Sequence, residues 1–404
     1  MLSNLSQEAR QYLIVTGNYW AFTLTDGALR MLVVLHFHQL GYSPLDIALL
    51  FLFYEFFGVV TNLVGGWVGA RFGLNKTMNI GLILQVIALS LLLVPPDKLS
   101  IAWVMMAQAL SGIAKDLNKM SAKSAIKTLV PENEDSQLYR WVALLTGSKN
   151  ALKGLGFFMG GVLLTLFQFQ GAILVMAVVL LAVWLFSLWK LNNNLGKSKN
   201  KPKFKQAFSK NADINKLSAA RLFLFGARDI WFVVALPVYL STQLQWDHWH
   251  IGSFLACWVI AYGLVQIWAP KITGKRPEGR AAVAWGSILF TAPTLIAISL
   301  TNNFYIEMSL IIGLILFGFF FAINSSLHSY LIVNYAARDN ASLDIGFYYM
   351  ANAMGRLLGT VLSGWLFQQY GLVTCLLASG CFIFIATLIS CSLPNTPQAR
   401  TTEQ

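Results

Sequence analysis

The sequence predicts an all-α membrane protein, twelve transmembrane helices in two pseudo-symmetric six-helix bundles. Three observations carry this expectation. Of 404 residues, 56% are hydrophobic and 11% charged, whereas a soluble domain carries about 25% charged residues, so most of the surface faces something other than water. Apolar stretches of about 20 residues, the length that crosses a hydrocarbon core, recur twelve times between short polar connections. A single polar, lysine-rich stretch, Asn192 to Asp213, divides them six and six.

The first bundle is expected over residues 1–191, with spans near 12–38, 46–69, 77–95, 99–121, 139–167 and 171–191. Glu8 and Arg10 precede the first span and no small-residue cleavage site follows it, so no signal peptide is expected and the first helix is read as part of the mature chain. In that span Tyr19, Thr23, Asp26 and Arg30 recur every three or four residues and share one helix face. Asp26 and Arg30, at i and i+4, are expected to pair. His36 and His38 fall near its outer end and read as interfacial. The second span contains Glu55. The fourth carries Lys115, Lys119, Lys123 and Lys127 at strict i+4 spacing. Lys119 to Lys127 read as flank residues snorkelling to the interface, with Lys115 deep enough to meet a ligand from the cytoplasmic side. The fifth repeats the striped pattern with Thr146, Lys149, Lys153, Gly156 and Gly160.

A cytoplasmic linker is expected over 192–214, polar and solvated, held near anionic headgroups by its lysines. The second bundle, 215–393, has spans near 215–241, 249–269, 281–300, 303–333, 344–369 and 372–392, and a cytoplasmic tail follows over 394–404. Arg228 and Asp229 are adjacent in its first span. Asn324, Ser325, Ser326, His328 and Ser329 give its fourth a polar inner end, where His328 reads as a hydrogen-bonded structural histidine. Tyr349, Asn352, Arg356, Gly359 and Ser363 stripe its fifth. The halves echo one another: Asn150-Ala151-Leu152-Lys153 matches Asn352-Ala353-Met354 followed by Arg356, and Asp26 is as far from Asp229 as Lys153 is from Arg356. Internal repeats of this kind build a central site between two bundles in secondary transporters.

Lysine and arginine concentrate in alternate connections, which places both termini and the middle linker in the cytoplasm. The formal charge of +12 is thus largely an orientation signal and not a nucleic-acid footprint, because the lysines flank spans. The charges inside the spans mean something else. A charge at the bilayer centre costs roughly 2.5 to 3.5 kcal/mol even on the lenient insertion scale, so these groups are expected to face a wet cavity. Arg30, Lys149, Lys153, Arg228 and Arg356 outnumber Asp26, Glu55 and Asp229, so pairing alone cannot neutralise them. An uncompensated cationic cavity calls for a small anionic ligand, with arginine offering a planar fork and lysine a mobile charge. Asn150, Asn352, Lys115 and Tyr19 complete the expected binding set. Protons are the expected coupling ion, because a carboxylate beside a cation can exchange that partner for a proton when substrate takes the cation. Asp26 is the first candidate, Asp229 its counterpart, and Glu55 reads equally as a coupling or a helix-pairing residue.

Other classes find no support in the residues. Cys257, Cys375, Cys381 and Cys391 lie inside apolar spans without ligand spacing, so no metal site and no cofactor is expected. No zinc-protease helix motif, serine elbow or aspartate pair with a glycine motif marks an enzyme, so no catalytic residue is expected. One chain supplies both bundles, so a monomer is expected.

After the second span the chain reads Gly66-Trp67-Val68-Gly69-Ala70-Arg71-Phe72-Gly73-Leu74-Asn75-Lys76. Gly66, Arg71 and Gly73 match the gating signature of the major facilitator superfamily. Ala70 replaces its Asp, and Leu74 and Asn75 its basic pair, so the chain departs from the charge relay attributed to that loop. Gly156-Phe157-Phe158-Met159-Gly160-Gly161 is similar to the glycine-rich antiporter motif, with Phe157 where that motif has Pro. More specific stretches begin at Tyr19 (YWAFTLTDGALRMLVVLHFHQLGYSPL), Leu52 (LFYEFFGVVTNLVGGW), Ser111 (SGIAKDLNKMSAKSAIK), Leu144 (LLTGSKNALKG) and Ser218 (SAARLFLFGARDIWFVVALPVYL). These resemble the ArsJ-type organoarsenical efflux permeases of that superfamily. The resemblance implies a bacterial inner-membrane exporter of 1-arseno-3-phosphoglycerate, conferring arsenate resistance together with the glyceraldehyde-3-phosphate dehydrogenase that makes this ester. Arg30 and Arg228 also resemble the paired arginines of organophosphate:phosphate antiporters in the same superfamily. An organophosphate/phosphate exchanger, or another organic-anion carrier, is the alternative expectation.

Overall fold

The computed structural model describes residues 7–41, 50–95, 98–131, 134–191, 195–197, 202–208, 211–274, 276–339 and 341–394. The start of the expected second span, parts of the linker and nearly all of the tail lie outside the described residues. The first half contains α1 (Gln7–Gln39), α2 (Leu52–Phe72), α3 (Leu74–Leu91), α4 (Ile101–Leu129) and α5 (Asp135–Lys190). The second contains α6 (Ala212–Phe232), α7 (Ala235–Thr242), α8 (His248–Thr273), α9 (Gly279–Thr301), α10 (Ile306–Tyr335) and α11 (Ala341–Ser390).

These elements make twelve passes. α6 and α7 are one span, and α5 and α11 are two each. α5 breaks at Gln168 (φ 58°) and α11 at Gly371 (φ 78°), where left-handed backbone turns the chain back. The two breaks are 203 positions apart, the same interval that separates Asp26 from Asp229, Lys153 from Arg356 and Gly156 from Gly359. The repeat is therefore carried by backbone geometry as well as by side chains. Large apolar side chains such as Phe158, Leu166, Trp189, Leu295 and Val361 point outward, as a chain solvated by lipid requires.

Each half packs its first span against its fifth at equivalent glycines. A Cβ on Gly156 would run into the Leu24 carbonyl of α1, and one on Gly359 into the Gly226 carbonyl of α6. Close backbone approach of this sort is how helices associate where lipid offers no hydrophobic drive. The halves meet along α2 with α11 and α5 with α8. There Gly66 abuts Ser342 and Gly346, and Gly147 abuts Gly263.

Contacts between halves gather toward the face that carries the start of α1 and the end of α11. Tyr139 Oη bonds Thr273 Oγ1 at 2.9 Å, Lys127 Nζ donates to the Asn334 carbonyl at 2.9 Å, and Arg338 donates to the Thr128 carbonyl at 3.3 Å. Arg276 pairs with Asp135 at 3.6 Å. Beyond the mid-depth pair of Glu55 and Arg356, no hydrogen bond or ion pair joins the halves on the opposite side among the described residues. The molecule is closed at the terminal face.

Candidate functional site

The stripes on α1, α5 and α11 converge with α2, α4 and α6 between the two halves. Their middle is an ionic chain. Arg30 Nη2 lies 3.1 Å from Glu55 Oε1, and Arg356 Nη2 lies 3.4 Å from that same oxygen. Arg356 Nε continues to Asp229 Oδ2 at 3.1 Å, and Asp229 Oδ1 takes Arg228 Nη2 at 2.5 Å. Five side chains on four helices are thus linked across both halves, three cations to two carboxylates. Asp229 is fully buried, whereas Arg356 and Glu55 each keep 31% of their side chains exposed, so the chain is sealed at one end and open at its middle.

The expected pairing of Asp26 with Arg30 is not what forms. Tyr54 donates its hydroxyl to both Asp26 oxygens, at 2.8 and 2.9 Å, while Arg30 turns to Glu55 and lies against the rings of Phe51 and Tyr54, 4.9 and 5.0 Å from their centroids. The single Tyr54 hydroxyl, shared between the two Asp26 oxygens, and the aromatic slot around Arg30 give the two charges separate partners. Arg228 and Asp229, neighbours in sequence, fold back onto one another.

Lys149 and Lys153 differ from the rest. Neither has a hydrogen-bond or ion-pair partner among the described residues. The charged groups facing Lys149 are Lys119, Lys123, Arg356 and Lys115, every one a cation. Lys153 faces Arg30, Arg356 and Lys149, with the acids Asp26 and Glu55 also in reach. Its ammonium lies 5.7 Å from the Phe157 ring. Lys115 lies 3.8 Å over the Tyr54 ring and 3.9 Å from Asp116.

Toward the terminal face the structure corrects the reading of α4. Lys119 and Lys123 do not snorkel; they are 9% and 3% exposed. Lys119 pairs with Asp116 at 2.5 Å, Lys123 donates to Thr146 Oγ1 at 2.8 Å, and both ammonium groups lie about 5 Å from the Tyr349 ring on α11 (5.1 and 4.9 Å). The i+4 stripe faces the other half instead of lipid.

Asn150 and Asn352 reach this region but bond protein groups: Asn150 Nδ2 donates to Gln266 Oε1 at 2.6 Å, and Asn352 Oδ1 accepts from Arg221 Nε at 2.9 Å. Tyr19 is buried among Tyr349, Asp116 and Asp26, and its hydroxyl has no hydrogen-bond partner among the described residues. His328 is buried as expected, but its Nδ1 lacks the expected hydrogen bond. Gly66, Arg71 and Gly73 stand apart at the end of α2, where Arg71 stacks 5.3 Å from the Trp67 ring centroid and Gly73 (φ 102°) turns the chain into α3. Two residues that sequence reasoning passed over belong to the cluster. Tyr54 holds Asp26, and Arg221, buried on α6, sits seven residues before Arg228 on the same face; that spacing was the available signal.

Summed over the described residues, Arg30, Lys115, Lys119, Lys123, Lys149, Lys153, Arg221, Arg228 and Arg356 face Asp26, Glu55, Asp116 and Asp229. Nine cations meet four carboxylates. The Arg forks and Lys ammonium groups can hold a multiply charged oxyanion, while no group of three or more His, Cys, Asp or Glu residues that could hold a metal occurs among the described residues.

The family model described as the Major Facilitator Superfamily matches residues 13–233 and 217–404. Among solved structures, the human organic anion transporter MFSD10 (TETRAN) is similar in fold, with a TM-score of 0.78 and 15% identity over 96% of this chain and 100% of that one. A bacterial homologue of the iron transporter ferroportin in an outward-facing state gives 0.75 and 12% over 95% and 98%. The E. coli fucose:proton symporter FucP gives 0.69 and 12% over 94% and 98%. No curated protein sequence matches.

Proposed function

This chain belongs to the major facilitator superfamily, and from that premise we propose that it is a secondary transporter exporting a small organic anion by alternating access, with 1-arseno-3-phosphoglycerate as cargo and arsenate resistance as the outcome. The observation that carries the reading is the excess of cations between the halves, above all Lys149 and Lys153 with no partner. Both ammonium groups are half-buried among like charges that repel them, and a ligand bearing a phosphate and an arsenate group would supply several counter-charges. A neutral sugar would not.

In this reading Arg30, Lys149, Lys153, Arg228 and Arg356 hold the anionic groups, with Lys115, Tyr19, Asn150 and Asn352 around them. Cargo oxygens compete with Glu55 and Asp229 for Arg30 and Arg356. A displaced carboxylate takes a proton, which couples cargo to the proton gradient through Glu55, Asp229 and, behind Tyr54, Asp26. The basic loops set both termini in the cytoplasm, so the closed terminal face corresponds to an outward-facing state of a monomeric inner-membrane carrier with half boundaries near residues 191 and 215. Gly66, Arg71 and Gly73 shape the inner gate.

The test uses everted membrane vesicles supplied outside with glyceraldehyde-3-phosphate dehydrogenase, its substrates and labelled arsenate. Arsenic should accumulate inside only when enzyme and transporter are both present. Accumulation independent of the enzyme rejects the ester as cargo, and counterflow with labelled phosphate then identifies an organophosphate/phosphate exchanger.

A further inference from the structure

A second group of cations lies nearer the terminal face than the ionic chain, and transport through Arg30 and Arg356 makes no use of it. Arg221 precedes Arg228 by seven residues and Lys123 follows Lys115 by eight, which sets the pair about 10 to 12 Å along their helices toward that face. Lys123 belongs to the first half and Arg221 to the second. They face one another across the closed interface, and Lys119 is the other charged group that Lys123 faces. Both are almost wholly enclosed, at 3% and 2% exposure.

Their hydrogen bonds satisfy donors without cancelling charge. Lys123 Nζ donates to Thr146 Oγ1 at 2.8 Å. Arg221 donates to Asn352 Oδ1 at 2.9 Å, the Ser325 carbonyl at 3.0 Å and Ser329 Oγ at 3.5 Å, with its guanidinium 3.8 Å over the Phe225 ring. Every acceptor is neutral, and no carboxylate pairs with either group among the described residues. The closest acid to the group, Asp116, is taken by Lys119 and Lys115. Two like charges on opposite halves, in a setting of low dielectric, push the interface apart, although the surrounding contacts hold it shut.

We propose that Lys123 and Arg221 form an inner clasp for a tetrahedral oxyanion, of the phosphate or arsenate class, and that its binding between them draws the two halves together at the terminal face. The clasp rests on the reading of this chain as an anion carrier that alternates between two faces. It gives that cycle a direction-setting device. An anion arriving from the terminal side bridges the two cations and closes the gate behind itself. Once it moves on to Lys149, Lys153 and Arg356 and leaves, unrelieved repulsion between Lys123 and Arg221 favours reopening. Tyr349, whose ring lies against Lys119 and Lys123 from the other half, keeps the cations aligned while the clasp is empty.

The experiment uses the full-length chain in nanodiscs of zwitterionic lipid, its native cysteines replaced by serine, with spin labels at Arg140→Cys and Lys271→Cys on the terminal ends of α5 and α8. Inorganic phosphate is the probe. Phosphate should shift the distance distribution toward the short, closed population. In Lys123→Gln the closed population should predominate without phosphate and ignore its addition, and Lys123→Arg should restore the response. Lys98→Gln, on the exposed loop between α3 and α4 and outside both cation groups, should respond as the parent does. A parent insensitive to phosphate, or a phosphate response that survives in Lys123→Gln, overturns the clasp. A phosphate response with the predicted mutant pattern, alongside failed arsenic accumulation in vesicles, keeps the clasp and rejects only the cargo.

Discussion

Glu55 on α2 and Arg356 on α11 pair across the two halves at 3.4 Å through the same carboxylate oxygen that takes Arg30 at 3.1 Å. One carboxylate thus occupies two guanidinium groups contributed by different bundles. An incoming oxyanion must displace it, so Glu55 is both a competitor of the cargo and the group freed when the cargo binds.

Glu55→Gln removes the competing charge. It should lower the KM for anion in counterflow by about tenfold, the worth of one charged hydrogen bond of roughly 1.5 kcal/mol, and abolish the response of net transport to an imposed pH gradient. Proteoliposome counterflow and gradient-driven uptake read the two effects separately. An unchanged pH response excludes Glu55 from coupling.

Asp229 has the opposite character, being fully buried between Arg228 and Arg356. Asp229→Asn strands two cations, and breaking a buried pair from one side costs about 3 to 5 kcal/mol. Thermal unfolding of the purified protein should show a clear drop in Tm, and adding Arg228→Gln should recover part of it. Equal Tm values for Asp229→Asn and the parent would mean that this carboxylate is dispensable to the fold.

Gly66 abuts the Ser342 carbonyl and Gly346 where the halves meet. Gly66→Val overpacks this seam by about 1 to 3 kcal/mol, a cost borne only while the terminal face is closed. The variant should unfold near the parent Tm, yet cross-link more slowly through cysteines at Arg140 and Lys271. A matching rate means the seam tolerates the side chain and does not govern closure.

The twelve passes were legible because hydropathy and length are local properties, and the reversals at Gln168 and Gly371 fall at the expected ends of the fifth and eleventh spans. The stripes through Arg30, Lys153 and Arg356 were legible too, since helical periodicity decides which residues share a face. Partner choice was not. The link from Glu55 to Arg356 joins residues 301 positions apart, and only the packing of α2 on α11 brings them together. Lys119 and Lys123 misled for a different reason: a lysine stripe at the end of a span has one sequence pattern whether it turns to lipid headgroups or to a facing bundle, and the presence of Tyr349 opposite decides it. Arg221 escaped notice because it lies in the first third of the expected span 215–241, where a cation reads as a flank.

The central claim is that the unpartnered ammonium groups of Lys149 and Lys153 hold the anion. The direct measurement is anion transport by the Lys149→Gln/Lys153→Gln double variant in proteoliposomes, with folding checked by its Tm. Two charged hydrogen bonds at roughly 1.5 to 3 kcal/mol each predict a loss of at least about 100-fold in kcat/KM at an unchanged or higher Tm, since the variant relieves repulsion among half-buried cations. Transport at the parent rate by a folded double variant would contradict the account.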